Sequence, residues 1–481
     1  MSADISPSRV AAQTVLVRLR SGSTHIDLSF AGLPELQGLS PRDRGLAFEL
    51  ITGTIKRRNS LDAVIDRFSR MPIKRADAHV RAALRLGAFQ LLYLDRVPAH
   101  AAVSESVALV EAAGKAGKGY VNAVLRKVAK DGRETLAKLS TGKTTAALAL
   151  RHSHPEWIVK LLVNEFGGVA AEEIMAADNR PAERCLRVNP GVDADELAAS
   201  LAADGLETRP ALLVPGALLY EGAPPQASSA FAAGLVTPQS QGSQLVGLVA
   251  LAGAPAATSV ADLCAAPGTK TAQIALALPQ AQVLALDNDP ARISETRANL
   301  ARQHAANVEI VTGDALQPLS SEALQSLSGE ALQPLPVDTL QSSPGDVPQP
   351  PSSGERRFDL VLVDAPCSGL GTLASRADLR WRRKPADVAR LAKLQTALLR
   401  RAADLVVPGG CVTYAVCTMI KAETLDVLDA VLADGGWELD DLGSEWPAAA
   451  HPKRGGCLLT LPSRHATSGF FIARLRRAAA N

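Results

Sequence analysis

Two cysteines stand in local sequences that suit a reacting thiol better than a packed one. Cys367 lies in Asp364-Ala365-Pro366-Cys367-Ser368-Gly369-Leu370-Gly371, directly after the unbroken apolar run Phe358 to Val363. Cys417 lies in Tyr414-Ala415-Val416-Cys417-Thr418, at the end of a second apolar run. Thiolates are strong nucleophiles, and strand-end loops are where reacting groups are displayed. Cys264 and Cys411 lie nearby in sequence pattern, and both read as packing residues. A second group of residues suggests a ligand. Asp262-Leu263-Cys264-Ala265-Ala266-Pro267-Gly268-Thr269-Lys270 follows one strand and opens a helix. Its small residues let backbone approach a ligand closely, but it carries neither GxGxxG nor P-loop spacing. Alone it reads as an ordinary strand-to-helix turn. Asp287 then ends Leu284-Ala285-Leu286-Asp287, and Asp314 ends Val311-Thr312-Gly313-Asp314. A single strand-end acid is usually a helix cap. Three consecutive strand ends of this kind fit a nucleoside-containing ligand whose ribose hydroxyls bond to the acid.

These residues need a sheet to bring them to one edge. From Ser259 onward the pattern alternates between apolar runs of strand length and helical periodicity, which predicts a doubly wound parallel sheet. The strands are predicted at 259–263, 282–286, 308–311, 358–363, 410–415 and 469–475. Helices fall between them. Phe358 to Val363 has no polar break, as expected for a strand covered on both faces. One stretch stands apart. DALQPLSS from Asp314 is followed by EALQSLSG, EALQPLPV and DTLQSSPG, then by DVPQPPSSGE. The unit is too short and too rich in Pro, Ser and Gly for a solenoid, so 317–355 reads as a flexible insertion.

Ahead of the sheet, residues 1–135 show apolar residues at three- and four-residue spacing and no strand alternation, which predicts an all-α bundle. Ser40-Pro41-Arg42-Asp43 has the form of a helix start. Residues 132–145 read as a linker, and 150–238 as a small α+β connecting region. Residues 239–481 complete the chain as the α/β domain.

The chain has 481 residues, 47% of them hydrophobic and 21% charged, a globular balance that excludes wholesale disorder. No run of about 20 apolar residues exists, so no membrane span is expected. The first residues lack a secretory pattern, and a cytoplasmic location is expected. Six cysteines without metal-ligand spacing make neither a disulfide framework nor a metal site. Net charge is only +2 overall, yet residues 1–135 hold 21 Lys and Arg against 13 Asp and Glu. That +8 excess fits either a polyanion partner or a solvated helical face.

The motifs together resemble the RNA cytosine-5 methyltransferases. DLCAAPGTK, the acid at Asp287, GDA at Asp314, DAPCSGLGT from Asp364, the YxxCT around Cys417 and the closing GFFIARLRR carry the resemblance. Thr269 stands where the family usually has a second Gly, and Val416 and Thr418 flank the last Cys. Arg42 to Ala47, Leu84 to Tyr93 and Val121 to Arg126 resemble the NusB-like RNA-binding domain.

The resemblance implies an S-adenosyl-L-methionine-dependent enzyme acting on small-subunit ribosomal RNA as a monomer. The other readings are a tRNA or other RNA substrate, or a non-catalytic RNA-binding assembly factor. By resemblance, Cys417 adds to cytosine C6, Cys367 assists release, and Asp364 bonds the N3/N4 edge. Cys264, Ala265, Ala266, Pro267, Gly268, Thr269, Lys270, Asp287, Asp314 and Asp364 then hold the cofactor. Lys270 is expected to meet either the cofactor carboxylate or a sheet-edge acid, or to face solvent. Arg292 is expected to pair with a nearby acid. Asp378-Leu379-Arg380-Trp381-Arg382-Arg383-Lys384 is a basic run with one aromatic, expected to clamp phosphates and stack a base.

Overall fold

The computed structural model describes residues 5–19, 33–319 and 354–478. The chain divides into two compact units, Met1–Pro181 with Leu373–Arg382, and Ala182–Thr372 with Arg383–Asn481. Among the described residues, no helix is long and apolar enough to cross a membrane.

The first unit is helical. Its helices are α1 (Pro7–Arg18), α2 (Pro41–Lys56), α3 (Arg58–Phe68), α4 (Ala78–Tyr93), α5 (Ala99–Ala112), α6 (Lys118–Leu139), α7 (Thr145–Arg151), α8 (Glu156–Phe166) and α9 (Gly168–Ala177). The predicted start of α2 is built as expected. Pro41 opens the helix, and the Ser40 hydroxyl accepts from the Asp43 backbone N–H at 3.1 Å. Val121, Val124, Leu125 and Val128 of α6 recur at helical spacing and are buried. The expected linker is largely helix instead: α6 runs on to Leu139. Gly132 ended the sequence pattern, but its missing side chain serves packing. A Cβ there would stand 3.0 Å from Leu92 and Val128.

The second unit holds two sheets. The smaller contains β1 (Cys185–Val188), β2 (Leu206–Pro210), β3 (Leu218–Gly222) and β4 (Val236–Pro238), all antiparallel in the order β2-β3-β1-β4. Between its strands lie α10 (Ala194–Ala203) and α11 (Ser229–Ala232). The larger sheet contains β5 (Ser259–Asp262), β6 (Gln282–Asp287), β7 (Val308–Thr312), β8 (Phe358–Asp364), β9 (Val406–Val416), β10 (Trp437–Leu439), β11 (Cys457–Leu459) and β12 (Phe471–Arg477). Its order is β10-β12-β9-β8-β5-β6-β7, with β11 also paired to β12.

The five strands β7-β6-β5-β8-β9 are mutually parallel. The chain moves outward from β5 to β7 and then returns to place β8 on the other side of β5. That reversal is the topological switch point, where ligands of open α/β sheets bind at strand carboxyl ends. The sheet is mixed rather than wholly parallel, because β12 runs antiparallel to β9 and to β10. An apolar run carries no direction, so this reversal was not readable from the pattern. The larger sheet is flanked in sequence by α12 (Gln241–Gly253), α13 (Thr269–Ala277), α14 (Pro290–Arg302), α16 (Pro385–Leu405) and α17 (Leu425–Leu432). The short α15 (Leu379–Arg382) belongs to the helical unit.

The repeats beyond Leu319 fall outside the described residues, but the first repeat up to Leu319 and the expected borders of the insertion do not. Leu319 is buried, its N–H donates to Glu355 at 2.7 Å, and Glu355 forms a buried ion pair with Arg401. Gln317, Leu319 and Glu355, expected inside the insertion, are therefore part of the folded unit. The sequence pattern missed this because the residue that pins Glu355 lies in distant α16.

Candidate active site

The loop after β8 and the turn after β9 meet. In the parallel ladder Asp364 faces Ala415, and the Ala365 N–H donates to the Ala415 carbonyl at 2.9 Å. Gly371 N–H donates to the Cys417 carbonyl at 3.0 Å, and Gly469 N–H donates to Gly371 O at 2.7 Å. Gly371 must lack a side chain here, because a Cβ would collide with the Gly469 carbonyl. These ties bring the two expected cysteines into contact, with 3.1 Å between Cys367 Sγ and Cys417 Sγ. Cys367 is buried, whereas Cys417 is partly exposed. The neighbouring Cys417 sulfur and burial push the Cys367 thiol well above its ordinary value.

Lys270 and Asp364 form the second element of the edge. Lys270 Nζ donates to Asp364 Oδ2 at 2.5 Å and lies 5.3 Å from the Phe470 ring centroid. Of the partners expected for Lys270, the sheet-edge acid is the one the structure supplies. Asp364 keeps 25% of its side chain exposed, so the pair faces an accessible space. Asp262 supports the loop from below. It is buried, accepts from Thr271 Oγ1 at 2.7 Å and from Cys264 N at 3.3 Å, and burial pushes its carboxyl up to about 7.

The strand-to-helix turn after β5 folds over the end of β6. Ala265 N–H donates to Leu286 O at 2.9 Å, and Ala266 N–H donates to Asp287 Oδ2 at 3.1 Å. Gly268 sits at φ +87°, a left-handed conformation that favours glycine, and caps α13. Asp287 is buried and holds Arg292 at 3.3 Å, the acid partner expected for that arginine. Asp314 is exposed beyond the next strand, with Gly313 N–H bonded to Asp287 O at 3.0 Å. Cys264 is surrounded by carboxylates. Burial, then Asp287, Asp262 and Asp364, push its thiol well up. Cys411 is fully buried inside β9, as expected for core.

The expectation for the basic run fails at Arg380 and Trp381. Arg380 is fully buried in the helical unit, donating to the carbonyls of Lys56, Ser153, Asp178 and Leu373 and to Asn179 Oδ1. Trp381 Nε1 donates to Ile55 O at 2.9 Å, and Arg58 stacks on its ring. Neither residue can clamp a phosphate or stack a base while so engaged. Arg383 instead donates to the Cys367 and Ser368 carbonyls at 2.9 and 3.0 Å. Glu423 was missed altogether. It reads as the first-turn acid of a helix, yet α17 starts at Leu425 and Glu423 is buried against the Cys367 loop. An acid followed by apolar residues so soon after Cys417 was the available signal.

Comparison with known proteins agrees with this layout. The 16S rRNA methyltransferase RsmB/F family profile matches residues 249–327 and 319–476, the NusB family profile matches 6–130, and the RsmF/B-like ferredoxin-like domain profile matches 154–225. Ribosomal RNA small subunit methyltransferase B of Pseudomonas syringae is 32% identical over 98% of this chain and 97% of its own length. The Klebsiella pneumoniae protein of the same name is 30% identical over 99% of each. The crystal structure of PH0851 shares the fold at TM-score 0.75 and 23% identity, covering 99% of this chain and 100% of its own. With full-length relatives at this identity, the chain belongs to the ribosomal RNA small subunit methyltransferase B family.

Proposed function

We propose that this protein methylates cytosine C5 in small-subunit ribosomal RNA through a covalent adduct between Cys417 and cytosine C6. The observation that carries the reading is the contact of Cys367 and Cys417 at one sheet edge, with the Lys270–Asp364 pair in the same loop system. Cytosine C5 is a poor nucleophile. Addition of a Cys417 thiolate to C6 makes C5 enamine-like, and C5 then takes the methyl group. The C5 proton passes to the Cys367 sulfur as thiolate, the C6–Sγ bond breaks, and the Cys417 thiolate returns. Cys367 serves this release. Cys417 is the more exposed of the two sulfurs, which fits it to meet the base. Asp364 accepts from the N3/N4 edge of the base and favours the ring protonated at N3, while Lys270 orients that carboxylate.

S-adenosylmethionine, when bound, supplies the electrophilic methyl group. The residues at the switch point fit it. Asp287, buried at the end of β6, would take the ribose hydroxyls. The small backbone stretch Cys264, Ala265, Ala266, Pro267, Gly268 and Thr269 would line the amino acid portion, with Asp314 and Asp364 at its flanks. The basic helical domain, residues 1–135, would hold RNA phosphates. The test is bisulfite mapping of RNA methylated by the purified protein, with gels of two variants beside it. Cys417→Ala is expected to bind RNA without turnover. Cys367→Ala is expected to accumulate a protein–RNA complex that survives denaturation. A trapped complex with Cys417→Ala and none with Cys367→Ala reverses the two roles. Absence of 5-methylcytosine from the wild-type product sinks the reading.

A further inference from the structure

Behind the two sulfurs lies a buried acid that the mechanism above leaves without a part. Glu423 is fully buried. Its Oε1 accepts from the Ser368 N–H at 2.8 Å and from Gln395 Nε2 at 3.1 Å. Gln395 Nε2 also donates to Pro366 O at 2.8 Å. The residues on either side of Cys367 are therefore both held by this one Glu–Gln unit. The Ser368 hydroxyl then donates to Thr418 Oγ1 at 3.1 Å, which joins the residue after Cys367 to the residue after Cys417. Tyr414 OH anchors the Glu423 carbonyl at 2.7 Å, fixing the acid to β9 itself. Burying a carboxyl is costly without partners, and here its partners are the Ser368 N–H of one reacting loop and the Gln395 amide, while Tyr414 of the strand that delivers Cys417 holds the Glu423 main chain.

We propose that Glu423 is a positioning residue that sets the register of Cys367 against Cys417. It touches neither base nor cofactor. Losing it frees the Cys367 loop, so Cys417 can still add to a base, but Cys367 is no longer placed to assist release. The inference rests on the reading of these two cysteines as the reacting pair, yet the register itself can be measured without RNA.

Diamide converts two nearby thiols to a disulfide and is itself reduced to the hydrazine, with the two thiol protons passing to its nitrogens. The full chain, treated with diamide and mapped by mass spectrometry, reports how often Cys367 and Cys417 meet. Wild type and Glu423→Gln, whose amide oxygen still accepts from Ser368 N–H, should close the bond at similar rates. Glu423→Ala should close it at least tenfold more slowly. Removing the acid alone makes a nearby thiolate easier to form and would speed the reaction, so slowing in a Glu423→Ala protein whose thermal unfolding matches wild type reports lost register. In turnover assays Glu423→Ala should lose at least tenfold in kcat, keep KM for RNA within threefold, and accumulate covalent complex as Cys367→Ala does. Closure in Glu423→Ala as fast as in wild type overturns the proposal. So does Glu423→Gln closing as slowly as Glu423→Ala. If wild type closes the disulfide and Glu423→Ala does not, but no variant traps RNA, the register stands and the cytosine reading falls.

Discussion

Two buried cations in this protein sit beside buried or half-buried acids, and they do opposite things. Arg380, in the helical unit, gives its guanidinium to four carbonyls and one amide oxygen and is closed off from solvent. Lys270, in the sheet unit, donates a hydrogen bond to Asp364, whose side chain remains 25% exposed. A planar fork of five donors suits backbone saturation, whereas a compact ammonium with three donors leaves capacity for a ligand. The lesson is that a cation whose acid partner stays open to solvent marks a site better than its presence in a basic run does.

The largest expected effect breaks the open pair. Asp364→Ala and Lys270→Ala should each lower turnover by about 10²–10⁴-fold, the usual range for a positioned acid–base group. Thermal unfolding should move less than in Arg380→Ala, because the Asp364 side chain remains 25% exposed. A variant that unfolds early, with turnover per folded molecule intact, would make Lys270–Asp364 structural like Arg380.

The closed cluster should answer in stability instead. Arg380→Ala strands the groups that it satisfies and should destabilise the helical unit by roughly 3–5 kcal/mol, the scale for breaking a buried charged network. The same cluster predicts a pH dependence. His154 is fully buried, with Nε2 3.1 Å from Asp178 Oδ2 and Nδ1 bonded to the His152 carbonyl at 2.8 Å. Burial, then the Arg380 charge, lowers its pKa to about 4, with Asp178 pulling the other way. The unfolded chain binds the proton more tightly, so this contribution is whole above about pH 6.5 and is lost progressively as pH falls toward 4. The loss amounts to roughly 3 kcal/mol. Urea melts of the full chain at pH 7 and pH 4.5 read it. A His154→Phe variant with the same pH slope as wild type would remove His154 from the account.

The contrast also explains what was legible in advance. The motif residues of the sheet edge were readable because their order and spacing follow strand ends, a local property. Cys367, Cys417, Asp287 and the helix start at Ser40 all fall where the pattern placed them. Arg380 and Trp381 were misread because their partners, Asp178 and Ile55, are some 200 and 326 residues away in sequence. Glu423 was missed for the same reason: Ser368 and Gln395, which define its role, come from other elements. The direction of β12 was invisible because apolar runs have no polarity. Long-range pairing is what periodicity cannot report.

A smaller effect is expected in the cofactor cradle. Asp287→Ala should weaken S-adenosylmethionine binding by about 1–3 kcal/mol, the cost of leaving a polar partner unpaired. Titration calorimetry reads it directly, and unchanged affinity would remove Asp287 from the ribose. Part of any loss would come through the loop, since Asp287 also holds the Ala266 N–H. Asp287→Asn keeps an acceptor for that N–H and separates the two contributions.

The smallest effect should come from removing the repeats. Arg356 N–H donates to Leu319 O at 3.3 Å, so the two flanks already lie side by side and a short linker can join them. Deleting 320–353 should leave unfolding free energy within about 0.5 kcal/mol, the scale of surface changes, and turnover within about twofold. The boundary matters more than the length. A deletion of 317–355 also removes Glu355 and the Gln317 carbonyl, which accepts from Arg401 at 3.2 Å. Arg401 would then be a buried cation without its acid, at a cost of roughly 3–5 kcal/mol. If both deletions behave alike, the Glu355–Arg401 pair does not hold the flanks. If the shorter one alone abolishes turnover, the repeats take part in the reaction and the composition argument is wrong.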